Sequence, residues 1–471
     1  MNPKTDTIAA TATPRGKGGI AVIRISGPSA FEIGEKIFSH KNAKFKSFKD
    51  IPPNTAVWGN IVDNRIIDEG IAVKYKSPKS YTGEDTVEIS CHGGIYITNK
   101  VLSAAINNGA RLAEPGEFTK TAYLNGKISL TGAEAVGRLI SAANETGARV
   151  ASAQSKGGLS KKICEISDHI KNIISEVYVY IDYPGEDLTD MTSDLMLEKL
   201  TSIKNALENL KETYNIGRII SDGLNCAIIG RPNSGKSTLL NMLSQNDVAI
   251  VHETPGTTRD IVCSKINIGG FVLNLYDTAG LRMSDDEIEK IGMKKALEKI
   301  EECELIIGVF DMSENQDDNY ILEILKREKD DGKKIIIILN KCDIISDLNP
   351  ENFNGFDLDI SPLIISAKNN TALNSNISAF EAFAKYLENI YKLGGYDLDS
   401  GEILTEERQY FEICAAYDNL ESAISALENG FTQDMAGLDL ELAVKNLDRC
   451  DSKSVSEDIV NRIFKNFCIG K

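Results

Sequence analysis

The sequence predicts a multidomain chain made of an α+β N-terminal domain, an all-α helical domain, and an α/β phosphate-loop domain inserted into the helical one. Three observations carry this. A strand-like run ending in a glycine-rich loop, Asn225 to Ser237 (NCAIIGRPNSGKS), opens an α/β unit. Helical periodicity lies both before that loop, from about Thr131, and after it, from Arg408 to Leu427 and from Leu438 to Leu447. The first 125 residues instead alternate short apolar runs with clusters of glycine. At 471 residues the chain is too long for one core, and about two to four domains are expected. The expected boundaries are 1–125 for the N-terminal domain, 126–216 and 393–471 for the two helical parts, and 217–392 for the insertion. Two unrelated helical domains would each need to build a core from fewer residues.

In the N-terminal domain, Ile20 to Ile25, Val57 to Val62 and Ile71 to Tyr75 read as strands, and Ile95 to Ile106 has helical spacing. The segment Ser80 to Gly94 (SYTGEDTVEISCHGG) puts Glu88 on a short strand between glycine turns, with Val87 and Ile89 facing the other way. A carboxylate so placed either recognises a polar ligand or lies on a solvated face. In the helical part, Ala135, Leu139 and Ala142 recur at three and four residues, as do Ile163, Ile166, Ile170, Ile173, Val177 and Ile181. Pro184 and Gly185 stop that run, and Leu195 to Tyr214 is amphipathic again.

The insertion carries the chemistry. Gly230, Gly235, Lys236 and Ser237 stand at the G-x-x-x-x-G-K-[ST] spacing, behind the strand-like Ala227 to Ile229 and ahead of the helical Leu239, Leu240 and Leu243. Backbone N–H groups of Asn233, Ser234, Gly235 and Thr238 can then wrap a phosphate at a helix N-terminus, Lys236 neutralises charge, and Ser237 can hold magnesium. After the strand-like Val272 to Tyr276 come Asp277, Thr278, Ala279 and Gly280, a D-x-x-G that can reach the metal and sense the terminal phosphate. After Ile335 to Leu339 come Asn340, Lys341, Cys342 and Asp343, an N-K-x-D. Asp343 offers a carboxylate to the two donors on guanine's edge, and a base lacking them leaves that acceptor unpaired, which discriminates by about four orders of magnitude. Ser366, Ala367 and Lys368, after Leu363 to Ile365, complete the base pocket. The nucleotide read here is GTP. Ile377 to Tyr391 is expected as the last helix of this domain, with a joint at Gly394 and Gly395.

Composition narrows the remaining classes. Nine cysteines include no C-x-x-C pair, and the four histidines are scattered, which points away from a disulfide framework and from a zinc site. A cytoplasmic, reducing compartment is the simplest expectation, and no apolar run approaches the roughly 18 residues of a membrane span. The net charge of −17 opposes bulk attraction to nucleic acid, so any RNA contact must be local or shared with a partner.

Beyond the nucleotide motifs, four stretches resemble the MnmE (TrmE) family of tRNA modification GTPases: Asp6 to Pro28, Ser80 to Gly94, Leu112 to Thr131, and the terminal Phe467 to Lys471 (FCIGK). Gly256 to Asp260 (GTTRD) adds moderate support. The resemblance covers essentially the whole chain. It implies a folate-binding N-terminal domain through which the chain forms a homodimer, a helical domain, and an inserted Ras-like G domain. It also implies a heterocomplex with MnmG, a flavin- and NADH-dependent partner. Together they would install an aminomethyl or carboxymethylaminomethyl group at position 5 of the wobble uridine of certain tRNAs, drawing a one-carbon unit from 5-formyl- or 5,10-methylene-tetrahydrofolate.

Carried over by motif, Arg24, Glu88, Lys127 and Lys471 are the candidate folate contacts that the resemblance implies. A pterin edge suits a carboxylate, and an anionic glutamate tail suits Arg or Lys. Leu281 stands where Ras-like enzymes keep a water-orienting Gln, so another device must act. The resemblance supplies one: Asn233 binds a K+ ion that takes the place of an arginine finger when two G domains meet. Further K+ ligands come from the loop His252, Glu253, Thr254, Pro255, Gly256 and Thr257, largely as carbonyls, and Thr258 joins Ser237 in the Mg2+ shell. His252 and Pro255 depart from the family's usual Thr and Ala. Glu289 matches the family's general base or water-orienting residue, and Arg259 steadies the switch or the contact between G domains, or else forms a surface ion pair. Cys468 is either a thiolate nucleophile or a packed tail residue. The segment Leu447 to Ser456 lacks the family's L-G-x-I-T-G, which predicts a different anchor for the tail. A GTP switch that assembles complexes without tRNA chemistry is the alternative reading.

Overall fold

The structure is a computed structural model that describes residues 6–182, 193–246, 263–277, 297–313, 319–344, 360–373, 376–451, 455–465 and 467–470. The chain forms two compact units: 1–137 with 154–207 and 412–471, and 138–153 with 208–411.

The first unit is built on a seven-stranded sheet in the order β3-β4-β5-β6-β2-β1-β7. Its strands are β1 (Ile8–Thr11), β2 (Ile20–Ser26), β3 (Phe38–His40), β4 (Val57–Asp63), β5 (Arg65–Tyr75), β6 (Thr86–His92) and β7 (Arg111–Leu112). Neighbours are antiparallel except β1 and β7. One face is apolar at every second residue: Ile23, Ile25, Ile61, Ala72, Val87 and Ile89 pack with Ile33 and Ile37 of the helix Ala30–Ile37 and with Val101, Ala104 and Ala105 of the helix Ile95–Asn107. The alternate residues, Arg24 and Glu88 among them, therefore lie on the other face. β1 is alanine-rich and weak in strand propensity; pairing on both sides makes it a strand.

The same unit contains long helices. Gly158–Asp182 runs its isoleucine stripe inward, as the three-and-four spacing predicts, and packs on Gln433–Asp451. Asp451 ties this region together: it accepts hydrogen bonds from the Thr131 backbone N–H (3.2 Å) and hydroxyl at the start of the helix Leu130–Ser141, and from the Ser160 hydroxyl. This buried carboxylate, in the segment that lacks L-G-x-I-T-G, joins the helices Leu130–Ser141, Gly158–Asp182 and Gln433–Asp451.

The second unit is a doubly wound sheet in the order β14-β13-β12-β11-β8-β10-β9. Here β8 (Leu224–Ile229), β10 (Phe271–Asp277), β11 (Leu305–Asp311), β12 (Lys334–Asn340) and β13 (Leu363–Ser366) are parallel, while β9 (Cys263–Ile268) and β14 (Thr371–Ala372) are antiparallel edges. The central strands are buried on both faces. Cys226, Ile228, Ile307 and Ile338 face Leu239, Leu243 and Phe383, whereas Ala227, Ile229, Ile306 and Ile337 face Ile321, Ile324 and Leu325. That is why they read as continuous apolar runs. β11, the strand beside β8, carries no nucleotide motif and was not anticipated. The helix expected from Ile377 spans Ala379–Ile390, because Ser378 caps it with a reciprocal Ser378–Glu381 capping box. The turn Leu393–Gly395 follows it.

Candidate functional site

The phosphate loop leaves the C-terminal end of β8 at the point where the chain order reverses, with β10 on one side and β11 on the other. Its glycines are required by space. A Cβ on Gly230 would lie 2.4 Å from the Val309 carbonyl, and one on Gly235 would lie 2.0 Å from the Asn340 amide nitrogen. Gly235 also has φ +96°, and Asn233 turns through the left-handed region at φ 66°. The helix Lys236–Asn246 starts directly behind. Ser234 is buried, Asn233, Ser237 and Thr238 are exposed, and the Lys236 ammonium donates to the carbonyls of Gly230 (2.8 Å) and Arg231 (2.7 Å).

Asn340 joins three loops. Its buried side chain donates to the Ser234 carbonyl at 3.0 Å and accepts from the Ala367 backbone N–H at 3.0 Å. The phosphate loop, the N-K-x-D turn and the Ser366–Lys368 turn are thus fixed to one another. Cys342 adds a backbone bond to Ile365 at 3.3 Å, and the Ser366 hydroxyl accepts from the Asn369 N–H. Asp343 and Lys368 project into solvent beside this junction. Lys341, at φ 67°, is ion-paired to Asp311 at the end of β11. Burial pushes the Asp311 carboxyl up, but the Lys341 ammonium and the Ser313 donors outweigh it and hold the carboxyl below the usual aspartate range. Sequence reasoning missed Asp311; the signal was an apolar run, Leu305 to Phe310, ending in an acid.

In the first unit Arg24 and Glu88 stand directly opposite on β2 and β6, with the Arg24 Nε 2.8 Å from the Glu88 Oε1. Their side chains are 15% and 25% exposed, so the pair is oriented yet reachable. The Arg24 guanidinium lies over the rings of Tyr81 (5.2 Å) and Phe118 (5.5 Å). Tyr75 reaches the other Glu88 oxygen at 3.5 Å, and burial together with that carboxylate pushes its phenol up. Lys127 donates to the Pro78 carbonyl (2.9 Å), on the loop that carries Tyr81 and Gly83.

The C-terminal tail docks against this domain. Phe467 packs on Phe464 with ring centres 5.2 Å apart and closes over Gly137, whose absent side chain admits the ring. The Cys468 carbonyl accepts from the Gly116 N–H at 3.4 Å, and the cysteine is exposed. A Cβ on Gly470 would lie 2.1 Å from the Thr11 carbonyl. Thr11 is the neighbour of Ala10, which pairs with Arg24, so the tail reaches the candidate folate pair within two strands. His252, Glu253, Thr254, Pro255, Gly256, Thr257, Thr258, Arg259, Thr278, Ala279, Gly280, Glu289, Lys471 and the side chain of Asp277 lie outside the described residues.

Residues 7–127 match the family model for the GTP-binding protein TrmE N-terminus, and residues 130–468 match that for the MnmE helical domain. A tRNA modification GTPase MnmE from Clostridioides difficile (strain 630) is 40% identical over 467 residues, covering 99% of both chains. The chain belongs to the MnmE family of tRNA modification GTPases. An MnmE from Acetivibrio thermocellus is 38% identical over 99% of this chain and 100% of its own length, as is one from Thermotoga maritima. The match to the MnmE helical model begins before the nucleotide-binding sheet and ends after it. Among solved structures, the FeoB G-domain from Methanococcus jannaschii is similar over 36% of this chain and 97% of its own, at 18% identity and a TM-score of 0.27. Aquifex aeolicus Era is similar over 42% and 66%, at 22% identity and a TM-score of 0.28. Among the described residues, no helix is long and apolar enough to cross a membrane, and no cluster of His, Cys, Asp and Glu could hold a metal by itself.

Proposed function

We propose that this MnmE family member binds and hydrolyses GTP in the cytoplasm and couples that cycle to modification of the wobble uridine of tRNA, as a homodimer working with MnmG and a tetrahydrofolate one-carbon donor. The observation that carries the nucleotide reading is Asn340, whose two hydrogen bonds hold the phosphate loop and both base-recognition turns in one frame. Pre-orientation of this kind spares binding the cost of ordering three loops. Asp343 and Lys368 then meet guanine, Lys236 leaves the Gly230 and Arg231 carbonyls for phosphate, and Asp311 holds the Lys341 ammonium.

The exposed Ser237 hydroxyl on the first helical turn suits magnesium, with Thr258, and the exposed Asn233 amide at the loop tip suits potassium, with the carbonyls of the 252–257 loop. Bound there, the two cations supply the positive charge that offsets charge developing on phosphate. Glu289 is assigned to orient the attacking water and Arg259 to steady the switch. Arg24, Glu88, Lys127 and Lys471 are assigned to folate: Arg24 already orients the Glu88 carboxylate for a pterin edge. The domains read as 1–125, 126–216 with 393–471, and 217–392.

The test is GTP turnover of the full chain in potassium against sodium at equal ionic strength, repeated with Asn233→Ala. A potassium-specific acceleration of at least about tenfold, lost in the variant, is expected. Equal rates in the two salts would reduce Asn233 to a loop residue and remove the proposed route to hydrolysis.

A further inference from the structure

We propose that the cavity between the 13–18 loop and the helix Ile95–Asn107 takes one nucleotide of the tRNA substrate. This rests on the tRNA reading above and adds a place for the RNA, which neither the nucleotide site nor the Arg24–Glu88 pair provides. The cavity measures about 660 Å3, within the range of small-molecule pockets and ample for a single extruded nucleotide. Its floor is rigid. Gly18 and Gly93 close on each other through backbone bonds, Gly18 N–H to the Gly93 carbonyl (3.1 Å) and Gly93 N–H to the Gly19 carbonyl (3.3 Å), at a separation that leaves no room for a Cβ on Gly93.

The lining has three chemistries in reach of one another. Arg15 and Lys17 line the cavity, and neither has a carboxylate partner among the described residues. In a chain of net charge −17 the relevant feature is their shared place at one cavity, since Lys44, Lys46, Arg65, Lys76 and Lys79 of this domain also have no carboxylate partner among the described residues but do not line it, and Lys41 and Lys49 are neutralised by Glu69 and Glu35. Free cations are what a phosphodiester requires, and here they are concentrated at one opening. The Thr98 hydroxyl and Asn99 amide offer a donor and acceptors to the edge of a pyrimidine, and the exposed side chains of Ile20 (69%) and Ile95 (57%) offer apolar surface to its face. Thr11 forms part of the wall and also meets Gly470 of the tail, so the exposed Cys468 lies two residues along the chain from that wall. A base held there would sit beside the tail that reaches the folate pair.

The experiment uses the full chain and an anticodon stem-loop RNA with uridine at the wobble position. Arg15→Gln with Lys17→Gln should weaken RNA binding about tenfold near physiological salt and lower the slope of log affinity against log salt by about 1 to 2. Thermal melting, GTP turnover and 5-formyl-tetrahydrofolate affinity should stay at wild-type values. Arg15→Lys should retain most of the binding. With 4-thiouridine at the wobble position, photocrosslinks should map to residues 11–21 or 93–102. Wild-type affinity and slope in the double variant would overturn the assignment, as would crosslinks elsewhere. So would loss of folate affinity in place of RNA affinity, or a shift in sedimentation showing that a second copy fills the cavity. Failure of the wild-type chain to bind the RNA at all would strike the tRNA reading itself.

Discussion

At the scale of single residues, Asn340 of the N-K-x-D motif acts on the nucleotide site by holding its loops together. It satisfies a backbone carbonyl and a backbone N–H, both shielded from water, and its amide nitrogen fills the space that Gly235 leaves. Leaving two buried backbone groups unpaired costs about 1 to 3 kcal/mol each, so Asn340→Ala should destabilise the nucleotide-binding unit by about 2 to 6 kcal/mol and weaken GTP binding at least tenfold. Urea unfolding with and without GTP would measure both, and a loss below about 0.5 kcal/mol would remove the bridging role. Asp311 acts one step further out, through Lys341. Because its folded pKa is depressed, its contribution is fully present above the ordinary aspartate value of about 3.9 and disappears as the pH falls through the folded value. The unfolding midpoints of wild type and Asp311→Asn should therefore differ by a constant amount near neutrality and converge in acid. A gap that persisted there would mean that packing, not charge, is what Asp311 supplies.

At the scale of elements, the legible parts were those with a single physical cause. Strands buried on both faces announced themselves as apolar runs, and Ile163 to Val177 announced a helix stripe. What stayed hidden was decided by partners far along the chain. β1, with its two alanines, is a strand because β2 and β7 flank it, and Asp451 is an anchor because Thr131 and Ser160 converge on it from 320 and 291 residues away. The motifs located the phosphate loop, but nothing in their spacing showed that Asn340 would bridge loops or that Asp311 would hold Lys341. The tail is the clearest case. FCIGK drew attention to the tail, whereas its docking depends on Gly116 and Gly470, both too crowded for a side chain, and on Gly137, where a Cβ would press on the Phe467 ring at 3.1 Å. Gly470 also sits at φ +99°, so Gly470→Ala must both strain the backbone and push Thr11 away, at about 1 to 3 kcal/mol. The tail should undock. We expect faster proteolysis at the C-terminus and loss of tRNA modification in a reconstituted reaction, with GTP turnover retained; a variant that still modifies tRNA would show that the docked tail is dispensable.

At the scale of the whole molecule, the net charge of −17 opposes the approach of a second copy of the chain. Two bodies of like charge repel over about a Debye length, roughly 10 Å at 0.1 M ionic strength, and the repulsion weakens as salt is added. If hydrolysis is completed only when two G domains come face to face, that repulsion is a barrier to activity, and screening it should help. At fixed potassium, GTP turnover per chain should therefore rise with added tetramethylammonium chloride, a salt whose cation is too large for a site sized for potassium. The increase should be greatest for constitutively separated G domains, since these meet by diffusion, and smaller within a homodimer whose tether already sets a high local concentration. RNA affinity responds in the opposite direction, because counterion release makes phosphate contacts weaken with salt. The two measurements on one sample thus separate the causes: turnover rising while RNA affinity falls identifies screening between acidic copies. Turnover independent of both protein concentration and salt would mean that one chain carries a complete hydrolytic site, with Glu289, Asn233 and the phosphate loop sufficient on their own.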